Sequence, residues 1–379
     1  MKYMNKAERP LIVVGNGVRL DIANILGKYE TFIGMIRQLK VPVVTTWTGA
    51  DLIPTDDPLN TGILGMMGQA GANKAVQECD YLLALGTHLC MPQTTTLTDK
   101  FAPHAFIHVV NPDEDQLANM NVRVDFSARG TVSDWLNEVE PFEAPKAWRD
   151  RCTELRKLNA IGDPKASVGV NSYWFNRLMN QMLPAGTCMV IDGGGTALYT
   201  GFQSAYVKEG SRLICSSAIS SMGSGLPEAV GACLANGRKL TTCLIGDGSF
   251  MLNVQELQTI FHHKLPIKIF VINNGGYLSV RNTQDEFLEG RRFGTGKSEE
   301  NDISWPRIEG LSRAFAIPFL RLSEKAKAES VIGAALRITG PVICEVICPP
   351  DQAMRWKQAF KKEGDRFIPQ TLDHMESSV

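Results

Sequence analysis

The stretch that most constrains this chain runs from Leu240 to Asn274. LTTCLIG is a short apolar run, and residues 253–263 read as a helix carrying Leu252, Leu257, Ile260 and Phe261 on one face. Pro266 ends that helix, and IKIFVIN (267–273) follows as a second β-branched run. A strand, a crossover helix and a strand make a parallel pair, whose strands end on the same edge of the sheet. Asp247 stands just past the first strand, between two glycines, and Asn274 just past the second, beside Asn273. The fold therefore brings together two residues that a whole helix separates in sequence, at the edge where open α/β sheets bind ligands. A lone GDG is ordinarily a turn and a lone NN a loop cap; the weight comes from finding both at the ends of one unit. Their hard oxygens suit Mg²⁺, which usually borrows further ligands from a phosphate. Gly248 and Ser249 lead into a helix N-terminus, which attracts anions. Gly275 and Gly276 leave more backbone N–H groups accessible. The unit reads as a site for a magnesium diphosphate.

The rest of the chain repeats the same alternation. LIVVG (11–15), VPVVTT (41–46), YLLALG (81–86) and FIHVV (106–110) are strands; helical spacing covers 21–39, through Ile22, Ile25, Leu26, Phe32, Met35, Ile36 and Leu39, and a helix lies near 70–78. A charged helical stretch and a loop, 141–170, read as a linker. A second series follows: CMVIDGGG (188–195), a Gly/Ala-rich helical stretch over 219–235, the unit described above, and PVICEVI (341–347). The expected fold is α/β, with two doubly wound parallel-sheet domains at 1–140 and 171–350, a linker at 141–170, and a polar, aromatic tail at 351–379 without a clear element.

Lys+Arg (39) nearly balance Asp+Glu (40), and the net charge of −1 argues against a nucleic-acid binder and against electrostatic docking on a membrane. No apolar run reaches membrane-spanning length. The nine cysteines have no paired metal-ligand spacing; Cys344 and Cys348 lack a second Cys/His pair, so free thiols in a reducing compartment, the cytoplasm, are expected.

GDG followed by NN, together with SSMGSGLPEAVGA (220–232), DGSFMLNVQELQT and NNGGYLSVRNTQ, resembles the diphosphate-binding domain of thiamine diphosphate (ThDP) enzymes of the acetolactate synthase-like family. RPLIVVGNG, GILGMMGQAGANKAV and CDYLLALGTHL resemble the central domain of the same family, so the likeness covers nearly the whole chain. It implies Asp247, the Asn274 side chain and the Gly276 carbonyl as Mg²⁺ ligands. Gly248, Ser249 and Tyr277 would hold the diphosphate, with Gly195 and Thr196 in a glycine-rich turn and Gly223 in the neighbouring motif. Met222 would wedge between the two cofactor rings and force the bent conformation, and the Ser220 carbonyl would accept from the 4′-amino group.

The resemblance also implies a glutamate against N1′ of the aminopyrimidine, which drives loss of the thiazolium C2 proton before attack on a 2-oxo acid. The family carries it on a pyrimidine-binding domain, across a subunit boundary. No such domain is recognisable here; Glu256 and Glu228 belong to the diphosphate-domain motifs and read as structural. The expectation is one component of a split enzyme, or a truncated product, that decarboxylates a 2-oxo acid such as pyruvate and transfers the acyl unit to an acceptor. A separate pyrimidine-domain subunit would complete it in a homo- or hetero-oligomer. The alternatives are a non-catalytic or regulatory ThDP-fold subunit and a simple 2-oxo acid decarboxylase.

Five further features bear on function. Gly15-Asn16-Gly17 after a strand invites a dinucleotide site, but Leu20 replaces the third glycine. Related synthases hold FAD in the central domain; here THLCMPQTTT replaces their arginine- and aspartate-rich segment after LLALG, which argues against FAD. Thr283 stands where branched-chain amino-acid synthases have tryptophan. His262 and His263 fall at a helix C-terminus, which favours histidine, and Arg281, Arg291 and Arg292 follow the NN loop, where they could meet an anionic substrate or solvent.

Overall fold

The apolar runs become the strands of two separate six-stranded, all-parallel sheets. The computed structural model describes every residue except 1–3, 24–28, 141, 163–164, 217–218, 297–301, 365 and 377–379. Contacts divide the chain into one unit over 1–160 and 355–378 and a second over 161–354.

In the first unit β1 (Pro10–Val14), β2 (Val43–Thr45), β3 (Asn60–Ile63), β4 (Tyr81–Leu85), β5 (Phe106–Asn111) and β6 (Phe126–Arg129) lie in the order β3-β2-β1-β4-β5-β6. The chain builds outward from β1 to β3, then returns to the other side of β1, which is the doubly wound pattern. Every residue of β1 and β4 is buried, because helices cover both faces. At the reversal, Gly15 N–H donates to the Leu85 carbonyl and Gly17 N–H to the Gly86 carbonyl, both at 2.9 Å. A Cβ on Gly15 would run into Gly86, so the Gly-Asn-Gly sequence is accounted for by close loop packing. The helix Tyr29–Leu39 buries Phe32, Ile33, Ile36 and Leu39; Ile25 and Leu26, expected on the same face, lie outside the described residues.

The charged helical stretch after 141 folds with the first unit. In the helix Lys146–Lys157, Trp148, Cys152 and Leu155 recur at i, i+4 and i+7 and are buried, and Trp148 Nε1 donates to the Pro10 carbonyl at 2.7 Å. The tail also has structure: Lys357–Gln358 pairs antiparallel with Met375–Glu376, and Phe360–Glu363 with Arg366–Pro369. The expectation of no element there is corrected; strands of two to four residues are too short to leave a periodic signal.

In the second unit β7 (Cys188–Ile191), β8 (Arg212–Ile214), β9 (Thr241–Gly246), β10 (Ile267–Asn273), β11 (Phe319–Leu322) and β12 (Val342–Ile347) take the order β11-β12-β10-β9-β7-β8. The chain leaves β7 for β8 at one edge and comes back to β9 on the other side of β7, so the switch point lies between β7 and β9. β9 and β10 pair parallel from Thr241↔Ile267 to Gly246↔Ile272, as the opening stretch requires. Their crossover differs from the expected single helix. It is two helices, Asp247–Leu252 and Glu256–His262, broken near Asn253 (φ −134°, ψ 36°). Leu257 and Ile260 are buried, whereas Leu252, before the break, is 50% exposed and Phe261, near the end of the second helix, is 41% exposed. The Gly/Ala-rich helix is likewise shorter than read, Gly225–Ala235, with 219–224 forming the turn that leads into it.

Candidate cofactor site

The turns after β7, β9 and β10 meet at the carboxyl edge of the second sheet, and one residue joins two of them to the turn before Gly225. Asp192, fully buried directly after β7, accepts from Gly194 N–H at 2.8 Å and from Gly225 N–H at 2.9 Å. Burial raises its pKa, and the Gly225 N–H, the Ser249 hydroxyl, and the Gly194 and Gly223 N–H groups pull it down. Asp192 was not among the residues singled out in the sequence. Its signal was a carboxylate immediately after a buried strand, the position Asp247 has after β9.

Asp247 opens the helix Asp247–Leu252 and is 3% exposed. Its carboxylate accepts from Gly248 N–H at 2.7 Å and from Gly276 N–H at 3.0 Å, which ties the turn after β9 to the turn after β10. Burial pushes its pKa up to about 6, while the N–H groups of Gly248, Gly276 and Gly275 and the Arg281 cation favour the charged form.

Asn274, also 3% exposed, donates through Nδ2 to Thr196 Oγ1 at 3.2 Å. That bond fixes the amide's orientation and leaves Oδ1 buried without any donor. An unpaired buried acceptor costs about 1–3 kcal/mol, and a cation at that oxygen removes the cost. Among the described residues no three of His, Cys, Asp and Glu gather as a metal site. A cation held here would rely on one carboxylate, one carboxamide oxygen and main-chain and ligand oxygens. That donor set fits Mg²⁺ and excludes the thiolate and imidazole sites of zinc. The Gly276 carbonyl accepts from Leu278 N–H at 3.0 Å and keeps its second lone pair.

A cleft beside these groups is lined by Gly194, Gly195, Thr196, Met222, Asp247, Gly248, Ser249, Gly276 and Tyr277, among others. Gly195 starts the helix Gly195–Gln203, with Thr196 in its first turn. A Cβ on Gly248 would run into the Tyr277 ring, which packs edge-on against Trp305 at 5.1 Å between centroids. Met222 is 39% exposed, so its side chain is not core packing. Ser220, two residues before it, has the left-handed φ of 51°, rare for a residue with a Cβ. Gly223 (φ 85°) follows and accepts through its carbonyl from Asn253 Nδ2 at 3.0 Å. Of the candidate residues, the cleft thus gathers Gly195, Thr196, Met222, Asp247, Gly248, Ser249, Gly276 and Tyr277; Asn274 is tied to it through Thr196, and Ser220 and Gly223 do not line it.

Other residues singled out in the sequence lie elsewhere or play another part. Arg281 does not reach solvent: it is 4% exposed and donates through Nη2 to the Asn274 carbonyl at 3.1 Å. Arg292 pairs with Asp285 at 2.6 Å, and Arg291 is exposed. His262 and His263 pack edge-on against each other at the far end of Glu256–His262. Thr283 is exposed on the helix Leu278–Phe287. Burial raises the pKa of Glu228, which sits in the first turn of Gly225–Ala235; neither Glu228 nor Glu256 lines the cleft.

Two family models match the chain. Residues 1–139 match the thiamine pyrophosphate enzyme central domain, and residues 193–346 match the thiamine pyrophosphate enzyme C-terminal TPP binding domain. The chain is 30% identical over 357 residues to the acetolactate synthase large subunit of Porphyra purpurea, covering 91% of this chain and 58% of that relative. It is 28% identical over 345 residues to the acetolactate synthase isozyme 2 large subunit of Escherichia coli (strain K12), covering 91% and 61%. Against the chloroplastic acetolactate synthase of Arabidopsis thaliana the identity is 28% over 360 residues, covering 92% and 52%. The chain therefore spans about half to three fifths of the length of these relatives. With two such domains in sequence order, and a glycine-lined cleft at the switch point of the second, the chain belongs to the thiamine pyrophosphate enzymes.

Proposed function

We propose that this chain is the cofactor-holding component of a ThDP- and Mg²⁺-dependent carboligase. In this reading it decarboxylates a 2-oxo acid, with pyruvate as donor, and transfers the acyl unit to an acceptor. The observation that carries the reading is the orphaned Oδ1 of Asn274, buried at the sheet edge that also holds the Asp247 carboxylate. Asp247, Asn274 and the Gly276 carbonyl would hold the metal, and Gly248, Ser249 and Tyr277, which line the cleft, would hold the diphosphate. Gly195 and Thr196 close the cleft from the β7 side. Met222, 39% exposed at the cleft, would pack against the cofactor rings, and the Ser220 carbonyl would accept from the 4′-amino group. When bound, the cofactor supplies a carbon nucleophile that takes the acyl carbon and stores the electron pair left by CO₂.

The proton at N1′ needs a carboxylate that this cleft does not offer; among the described residues lining it, Asp247 is the single acidic one. In our reading a glutamate from a separate pyrimidine-binding subunit faces N1′, so the active species is an oligomer. Exposed Ile219 (82%), Met222 (39%) and Leu252 (50%) support it, since they leave an apolar rim around the cradle. Among the described residues no helix is long and apolar enough to cross a membrane, and nine free thiols, most of them buried, support a reducing compartment such as the cytoplasm.

The test is CO₂ release from pyruvate with ThDP and Mg²⁺, by the chain alone and with an added polypeptide carrying a pyrimidine-binding domain. Activity only in the mixture supports the reading, and an ordinary enzymatic rate from the chain alone overturns the divided site.

A further inference from the structure

The turn that bears Asn274 contains two consecutive glycines with positive φ, Gly275 (71°) and Gly276 (138°). Such a sequence has little conformational preference of its own, so something outside it must hold it in place. Part of the answer is the Asp247 carboxylate on Gly276 and the Arg281 guanidinium on the Asn274 carbonyl. The rest lies on the far side of the turn, in residues that form no part of the cofactor cradle. Gly275 N–H donates to Asn273 Oδ1 at 3.2 Å. Asn273 Nδ2 donates to Glu345 Oε1 at 2.7 Å, and Arg321 Nε donates to Glu345 Oε2 at 2.7 Å. Glu345 belongs to β12, the strand paired with β10, at the register Val271↔Glu345, and is 4% exposed.

The order of these bonds decides which way the Asn273 amide faces. A carboxamide can turn through a half rotation and exchange its oxygen for its NH₂. With Nδ2 committed to a carboxylate, Oδ1 must face Gly275. With Glu345 removed, the amide is free to present its NH₂ to the Gly275 N–H, a donor to a donor. Arg321 prevents the carboxylate from turning away, and its own pairing with a buried carboxylate is charge-assisted and directional.

We propose that Glu345, held by Arg321, is a positioning residue that sets the turn carrying the Asn274 and Gly276 oxygens through the orientation of the Asn273 amide. It touches neither metal nor cofactor. Its effect on the metal rests on the functional reading given above, whereas its effect on the turn does not.

The test uses the full chain and compares Glu345→Leu with Glu345→Gln. A glutamine keeps an acceptor for Asn273 Nδ2, and Arg321, half exposed, can turn its guanidinium to water. Amide hydrogen exchange at Gly275, followed by NMR without any ligand, reads the turn itself. Glu345→Leu is expected to speed that exchange about tenfold, the loss of roughly one hydrogen bond to a charged group, and Glu345→Gln to restore it to within a few-fold. In the second measurement, the Mg²⁺ concentration that half-saturates ThDP binding rises about tenfold in Glu345→Leu and returns to the parent value in Glu345→Gln. Should Glu345→Leu fail to fold, Asn273→Ala cuts the same relay from its other end and is expected to give the same loss at Gly275. Parent-like exchange at Gly275 in a folded Glu345→Leu or Asn273→Ala overturns the proposal. If the parent chain shows no Mg²⁺-dependent ThDP binding, the functional reading fails, and the exchange result still decides the relay.

Discussion

Asp192→Asn is an isosteric change, so it leaves no cavity and acts only through hydrogen bonds and charge. The carboxylate serves donors from opposite sides, Gly194 N–H at 2.8 Å on Oδ1 and Gly225 N–H at 2.9 Å on Oδ2. An asparagine can turn its carbonyl to one of these turns only; its NH₂ then faces the other, leaving a buried backbone N–H without an acceptor. That costs about 1–3 kcal/mol, and the surviving bonds lose their charge assistance at a further ~1 kcal/mol. Burial raises the pKa of Asp192, so removing its charge returns part of the loss. The net expectation is a destabilisation of about 2–3 kcal/mol. The unit concerned covers 161–354, a size at which 1 kcal/mol moves Tm by about 2–4 °C, so the shift is about 5–10 °C. Differential scanning calorimetry and urea unfolding, with an unchanged dependence on denaturant, give the comparison. A loss below about 1 kcal/mol would refute the claim that this one carboxylate ties the β7 turn to the turn before Gly225.

Two other perturbations read different parts of the molecule. Gly248→Ala places a methyl against the Tyr277 ring; the chain is expected to stay folded, at a cost of about 1–3 kcal/mol, while ThDP affinity by titration calorimetry falls at least tenfold. In the first unit, burial lowers the pKa of His108 to about 4 from 6.5, and its Nδ1 hydrogen-bonds to the Tyr81 hydroxyl at 2.7 Å. The folded state therefore binds fewer protons than the unfolded one between those values. The stability His108 contributes is present above pH 6.5 and lost as pH falls toward 4, by up to about 3 kcal/mol. His108→Phe, compared by urea unfolding at pH 7 and pH 4.5, should flatten that dependence; an unchanged slope would show that other groups carry it.

The sheets were legible because their strands are buried on both faces and so read as unbroken apolar runs: LIVV, YLLAL and IKIFVI leave no doubt about class or direction of pairing. That the turns after β9 and β10 meet, with the Gly276 N–H on the Asp247 carboxylate, followed from topology alone, since parallel strands share a ligand edge. The crossover was misread as one helix because Leu252 fits the apolar spacing of Leu257, Ile260 and Phe261, although the Asn253 break separates it from their helix. The helix Lys146–Lys157 looked like a linker because its buried stripe is only three residues wide, Trp148, Cys152 and Leu155, among many charges. Asp192, Arg281 and Glu345 were not legible as parts of the site. Each works through a hydrogen bond to backbone or to another side chain from a distant element, and local spacing carries no trace of such a partner.

The central claim is that a metal joins the diphosphate to Asp247 and Asn274. Titration calorimetry of the chain with ThDP, in Mg²⁺ and in EDTA, for the parent and for Asp247→Asn, addresses it most directly. The account predicts saturable binding by the parent in Mg²⁺, and at least tenfold weaker binding both in EDTA and in the variant. Equal affinity in all four titrations would contradict it.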